Sequence, residues 1–172
     1  MAALRDIACR LGGRSAVLAL GLLALAVPAA SAATATVSSG ALTYTAATGE
    51  TNQLTITRSG GTFTLSDSGA LITAGAGCAS GGARIVTCTA ASLSVDTGDR
   101  DDVITVGAGA PATLNGGSGN DQLLDPSGGA ANTFIGGTGT DRVSYAGRAA
   151  AITADIDGVA DDGAPGELDN VR

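Results

Sequence analysis

Gly116-Gly117-Ser118-Gly119-Asn120-Asp121-Gln122-Leu123-Leu124 decides the reading of this chain, because it returns twenty residues later as Gly136-Gly137-Thr138-Gly139-Thr140-Asp141-Arg142-Val143-Ser144. Both stretches fit Gly-Gly-x-Gly-x-Asp-x-U-x, with U a large apolar residue. Nineteen residues upstream, Thr97-Gly98-Asp99-Arg100-Asp101-Asp102-Val103-Ile104-Thr105 keeps one glycine, the Asp at position six and the apolar eighth position. Two degenerate units, 107–115 and 127–135, fill the gaps and carry Ala112 and Asn132 at position six. Five units thus lie end to end, with insertions at Val106 and at Asp125-Pro126. The apolar register persists through all five as Ile104, Leu114, Leu123, Phe134 and Val143.

These residue types have a shared chemistry. Glycines let the backbone turn through positive φ, so its carbonyls can converge on a hard cation that takes six to eight oxygen ligands. The Asp adds an anionic oxygen, and the three residues after it extend into a short strand with an inward apolar side chain. If each unit makes half a turn, alternate units share an edge. The three loops that keep their Asp, 97–102, 116–121 and 136–141, then stack. A cation between successive loops gives two sites, one between Asp102 and Asp121 and one between Asp121 and Asp141. Asp99 joins Asp102 as a candidate ligand in the first loop, where Arg100 replaces a glycine. The opposite edge, with Ala112 and Asn132, should bind little or nothing.

Composition narrows the function. The 172 residues include 27 Gly, four aromatics, no Trp and no His. Without His the chain lacks the usual general base, the commonest transition-metal ligand and every Ser-His-Asp arrangement. The 44% hydrophobic fraction is mostly Ala and Val, so the core must be thin. Formal charge is −7, which makes nucleic acid and anionic membranes poor partners and cations good ones.

The N-terminus reads as a secretory signal over residues 1–32. Arg5, Arg10 and Arg14 precede an apolar run, Ala16 to Val27, that closes on Pro28 and Ala30-Ser31-Ala32, with cleavage expected after Ala32. The run falls well short of the roughly 20 residues of a spanning helix. The mature protein is therefore expected to be secreted, with no membrane span. It keeps six Arg against fifteen acids, a net −9, all of it beyond residue 95. In an oxidising compartment Cys78 and Cys88 are expected to form a structural disulfide, which closes a short loop and contributes about 2–3 kcal/mol.

Residues 33–95 alternate β-branched or small residues with polar ones, as in Gln53-Leu54-Thr55-Ile56-Thr57 and Thr62-Phe63-Thr64-Leu65-Ser66, and read as β-strands with tight turns. They form an N-terminal β-rich cap, followed by the nonapeptide region at 96–144 and an acidic segment at 145–172. Within that last segment Asp155, Asp157, Asp161, Asp162, Glu167 and Asp169 read as a solvated acidic turn, with a further calcium site as the alternative.

The two complete nonapeptides resemble those of the repeats-in-toxin, or haemolysin-type, calcium-binding proteins. The resemblance is specific over 116–144 and looser over 97–115. The tail, Val143-Ser144-Tyr145 through Asp169-Asn170-Val171, is similar to the segment that follows such repeats in exported bacterial members. The resemblance implies an all-β fold, a right-handed parallel β-roll or β-solenoid, with Ca²⁺ between successive turns. It implies calcium ligation by carbonyls of Gly116, Ser118, Asn120, Gly136, Thr138 and Thr140 and by the side chains of Asp121 and Asp141. Family members exported in one step carry a C-terminal signal, whereas this chain has an N-terminal one. Their arrays are longer, so the chain reads as a fragment or a short member.

The expectation is an exported, non-enzymatic, calcium-binding protein. A calcium-dependent enzyme acting on polysaccharides is a second reading, since carboxylates with Arg142 or Arg148 can work without His. An adhesive or surface spacer with a cell-surface or polysaccharide partner is a third.

Overall fold

The computed structural model describes residues 31–107, 109 and 111–172; all but the last two residues of the export signal expected at 1–32 lie outside the described residues. Period-two alternation governs the local structure. In Gln53–Ser59, Leu54 and Ile56 point inward while Gln53, Thr55 and Thr57 face water, and most longer strands repeat that pattern. Fourteen strands result, with no helix among the described residues. They are β1 (Ala33–Ser38), β2 (Ala41–Thr45), β3 (Gln53–Ser59), β4 (Thr62–Asp67), β5 (Ile72–Ala74), β6 (Cys78–Gly82) and β7 (Ile85–Thr89), followed by β8 (Ser92–Asp96), β9 (Val103–Val106), β10 (Ala112–Gly119), β11 (Gln122–Leu124), β12 (Thr133–Gly139), β13 (Arg142–Ser144) and β14 (Asn170–Val171).

The strands make two seven-stranded sheets, ordered β14-β12-β10-β8-β2-β1-β5 and β13-β11-β9-β3-β4-β7-β6. From β8 onward consecutive strands alternate between the sheets; β8 and β9 pair in parallel with β2 and β3, and from β10 each strand pairs in parallel with the strand two before it. Leu114 lies beside Val95 and Phe134, and Leu123 beside Ile104 and Val143. Paired residues are thus 19 or 20 positions apart, the length of two nonapeptide units with their insertion. The parallel stacks begin before the repeats, because Tyr44 pairs with Val95 and Leu54 with Ile104, and β8 runs across the 95/96 boundary. The rest of the N-terminal region is mostly antiparallel, β1 with β2 and β4 with β3 and β7, with β5 closing its sheet in parallel on β1. There Cys78 and Cys88, opposite each other on β6 and β7, are joined by a disulfide.

Inward side chains of both sheets meet in one hydrophobic cluster. Its largest fully buried members are Tyr44, Phe63 and Phe134, backed by Leu42, Leu54, Ile56, Leu65, Ile104, Leu114 and Leu123. Each of the first four repeats contributes one such residue, worth about 1.5–3 kcal/mol when withdrawn from water. Val143, in the last repeat, is only partly buried against this cluster. No helix among the described residues is long and apolar enough to cross a membrane.

Leu123 is therefore a sharp probe of the repeat core. Leu123→Ala is expected to cost about 3 kcal/mol in urea unfolding, whereas Gln122→Ala, at the exposed position beside it, should stay within about 0.5 kcal/mol.

Candidate metal centre

Position six of the repeat first does a structural job. The turns that enter the parallel strands leave a backbone N–H facing the next turn, and a buried N–H needs an acceptor. A side-chain oxygen from the following turn supplies it. Asn52 N donates to Asp102 Oδ1 (2.7 Å), Asp102 N to Asp121 Oδ1 (2.9 Å) and Asp121 N to Asp141 Oδ1 (2.9 Å), a ladder along one edge. On the far edge Ala112 N donates to Asn132 Oδ1 (3.1 Å) and Asn132 N to Asp169 Oδ1 (2.8 Å). Asn52 and Asp169 were not candidates for this role from the repeat alone. The signal was present in shorter form: Asn52-Gln53-Leu54 and Asp169-Asn170-Val171 carry the same Asp/Asn-x-apolar triplet as Asp121-Gln122-Leu123.

The three acidic loops are stacked. Gly117, Ser118 and Gly119 lie in register with Gly137, Thr138 and Gly139, and Asp99 bridges to Ser118. Positive φ recurs at positions two and four: 82° at Gly98, 102° at Gly117, 108° at Gly137, then 79° at Arg100, 145° at Gly119 and 137° at Gly139. Arg100 thus holds a glycine conformation, at a cost of about 1 kcal/mol or more. Its guanidinium lies over Gly49 of the preceding turn. Glycine is required at 137 and 139 for a second reason. A Cβ there would collide with the carbonyl oxygens of Gly117 and Gly119, which project between the loops. Gly116 and Gly136 in turn leave room for the carboxylates of Asp121 and Asp141.

The other candidates are spread over the same edge. The Gly116 carbonyl accepts the Thr97 hydroxyl (3.0 Å), and Asp99 Oδ1 accepts Gly49 N (2.6 Å). Asn120 donates from its amide N to Asp101 Oδ1 (2.8 Å) and accepts Thr140 N on Oδ1 (3.0 Å). Thr138 and Thr140 are exposed.

Asp102 and Asp121 stand apart electrostatically. Each is 1% exposed, and each has an Oδ2 that is buried without a hydrogen-bond partner. Burial, with the Asp121 and Asp67 charges adding and the Asn52 amide opposing, pushes the Asp102 carboxyl up to about 6. Burial and the charges of Asp141 and Asp101 raise Asp121 as well. Carboxylates one strand spacing apart repel by about 3 kcal/mol at an effective dielectric near 20.

Two further acidic groups involve the C-terminal tail. Carboxylate oxygens of Asp125, Glu167 and Asp169 all lie within 4.8 Å of one another, as do those of Asp155, Asp161 and Asp162, and either group could hold a metal ion. The expected solvated turn is only partly so. Asp162 and Asp169 are buried, because the tail folds back through antiparallel bridges at Thr153–Gly163 and Asp162–Asp169 and its amides need acceptors. Asp162 accepts Asp155 N at 2.8 Å and Val171 N at 2.7 Å. Asn132 donates to Asp125 Oδ2 (2.8 Å) at the edge expected to be inert.

Comparison with protein-family models, curated proteins and solved structures gives no match. The chemistry therefore rests on the geometry alone. Its oxygen-only donor set is that of a hard cation.

A carboxyl whose folded pKa is raised destabilises the fold while it is ionised, and that penalty disappears as pH falls from the folded toward the unfolded value. Burial pushes Asp169 as well as Asp102 up to about 6, so with an unfolded value near 3.9 the window is about pH 7 to 4, and the effect is about 3 kcal/mol for each. Asp67, held low by hydrogen bonds, and Glu167, held low by hydrogen bonds and by Arg148, lose their contributions only below about pH 5. In excess chelator the melting temperature should thus rise by several degrees between pH 7 and pH 5. A steady fall over that range in thermal unfolding followed by circular dichroism would contradict the assignment.

Proposed function

We propose that this protein is an exported, non-enzymatic, calcium-binding β-roll of the repeats-in-toxin type, whose folding depends on Ca²⁺ at the edge bearing Asp102, Asp121 and Asp141. One observation carries the reading: this edge holds more negative charge than its hydrogen bonds require. The ladder needs a single side-chain oxygen per rung, and at one of the two far-edge rungs the neutral Asn132 supplies it while Asp169 supplies the other. On the near edge three successive rungs are carboxylates, two of them almost wholly buried with an unpartnered oxygen. A divalent cation between rungs would neutralise them and use those oxygens together with the loop carbonyls.

Further support comes from the alternation of strands between two sheets at the repeat period, the arrangement a roll requires. The donor set contains no His, and the two cysteines among the described residues are tied in the disulfide, so hard oxygen ligands remain. That disulfide fits an extracellular setting. Ion binding to the folded state alone stabilises it by mass action, about 2.7 kcal/mol per site at a hundred times Kd.

Calorimetric titration is expected to give two calcium ions per chain, with a higher melting temperature in calcium than in chelator. Asp121→Asn tests the charge separately from the ladder, because Asn keeps the Oδ1 acceptor. In chelator this variant should be as stable as the parent or more so, since a buried charge is gone. In calcium it should lose both sites, and Asp141→Asn only one. A calcium-induced shift in Asp121→Asn equal to the parent's would remove calcium from this edge.

A further inference from the structure

The insertion at Asp125-Pro126 breaks the nonapeptide register, and the loop it begins faces the tail. Asp125 Oδ1 accepts Ser127 N and Gly128 N, which tightens the loop and turns its other oxygen toward the far edge. Glu167 and Asp169 reach the same point from the C-terminal segment. Three carboxylates buried together without a counter-charge would be strongly unfavourable.

Arg148 supplies the counter-charge. Its Nη2 lies 2.6 Å from Asp125 Oδ2, its Nη1 bonds Glu167, and its Nε donates to the Asp125 carbonyl at 2.9 Å. Its side chain is 5% exposed and packs over the Tyr145 ring at 4.7 Å. Asp169 is wholly buried. Its Oδ1 accepts Asn132 N, while its Oδ2 has no hydrogen-bond partner and lies 3.9 Å from the guanidinium. That orphaned oxygen marks the cluster as a cation site.

We propose that Arg148 is the resident cation of the far edge: its guanidinium fills a three-carboxylate site that would otherwise take a divalent ion, and in doing so docks the C-terminal segment onto β12. A planar fork suits this role because Nη1, Nη2 and Nε hold Glu167, the Asp125 carboxylate and the Asp125 carbonyl in fixed directions, whereas a lysine ammonium is a compact point charge on a flexible stem. The site staples three segments: the insertion after β11, the loop after β13 and the tail. Two tail hydrogen bonds report the docking, Asn170 N to Asn132 O (2.8 Å) and Arg172 N to Phe134 O (2.9 Å). The inference does not depend on calcium at the opposite edge.

Amide hydrogen exchange of the full chain in excess calcium tests it. Arg148→Lys keeps the charge but loses the fork, and Glu167→Gln keeps the shape but loses one partner. Each should speed exchange at Asn170 and Arg172 at least tenfold, with the β11 amides of Leu123 and Leu124 unchanged. Arg142→Lys, on an exposed side chain of β13, should alter none of them. Parental protection of Asn170 and Arg172 in both variants would overturn the docking role. Arg148→Ala should bind one calcium ion more than the parent in the same titration, and an equal count would overturn the assignment of a cation site. Failure of the calcium reading has a different signature, β11 amides indifferent to chelator while the tail still responds to Arg148.

Discussion

The hydrogen bond from a backbone N–H in one turn to a side-chain oxygen in the next is the constraint on which the parallel part of the structure depends. It recurs from Asn52 to Asp141 on one edge and from Ala112 to Asp169 on the other, at or just before the start of a strand. Each rung fixes the register of the following strand, and the register places the next apolar side chain over the last. Leu54, Ile104, Leu123 and Val143 line one sheet for this reason. A core built of one large residue per repeat would be too thin to specify alignment by packing alone.

Glycine at positions two and four follows from the same stacking. Turns held one strand spacing apart bring the Gly117 and Gly119 carbonyls against the backbone at 137 and 139, where a side chain would collide. The loops therefore present carbonyl oxygens to one another, beside a row of carboxylates. The two edges meet this concentration of oxygen differently. One leaves its buried carboxylate oxygens unpartnered; the other gathers three carboxylates around an arginine. The difference lies in which residues the insertion at Asp125-Pro126 and the tail bring to the far edge.

Much of this was legible in the residues. The nonapeptide spacing implied which apolar positions face inward, that alternate units share an edge, and that Asp102, Asp121 and Asp141 belong together. Asn52 escaped notice because its turn has one glycine rather than three and lies some fifty residues from the next rung. Asp169 escaped because the acidic composition of the tail resembles any solvated run. Both would have been found by the triplet of an Asp or Asn two residues before an apolar residue. Arg148 carried no local signal. Its partners lie about twenty residues away on either side, at no fixed period.

By itself, then, the sequence determined the β-rich class, the period of the strands, the inward residues of each repeat and the grouping of the acidic loops, because these follow from spacing and from the backbone freedom of glycine. Only the tertiary structure decided which carboxylates are buried, which of their oxygens lack a partner, and where a guanidinium already stands. Burial and neutralisation depend on segments distant in the chain, and their electrostatic consequences appear only when those segments are brought into contact.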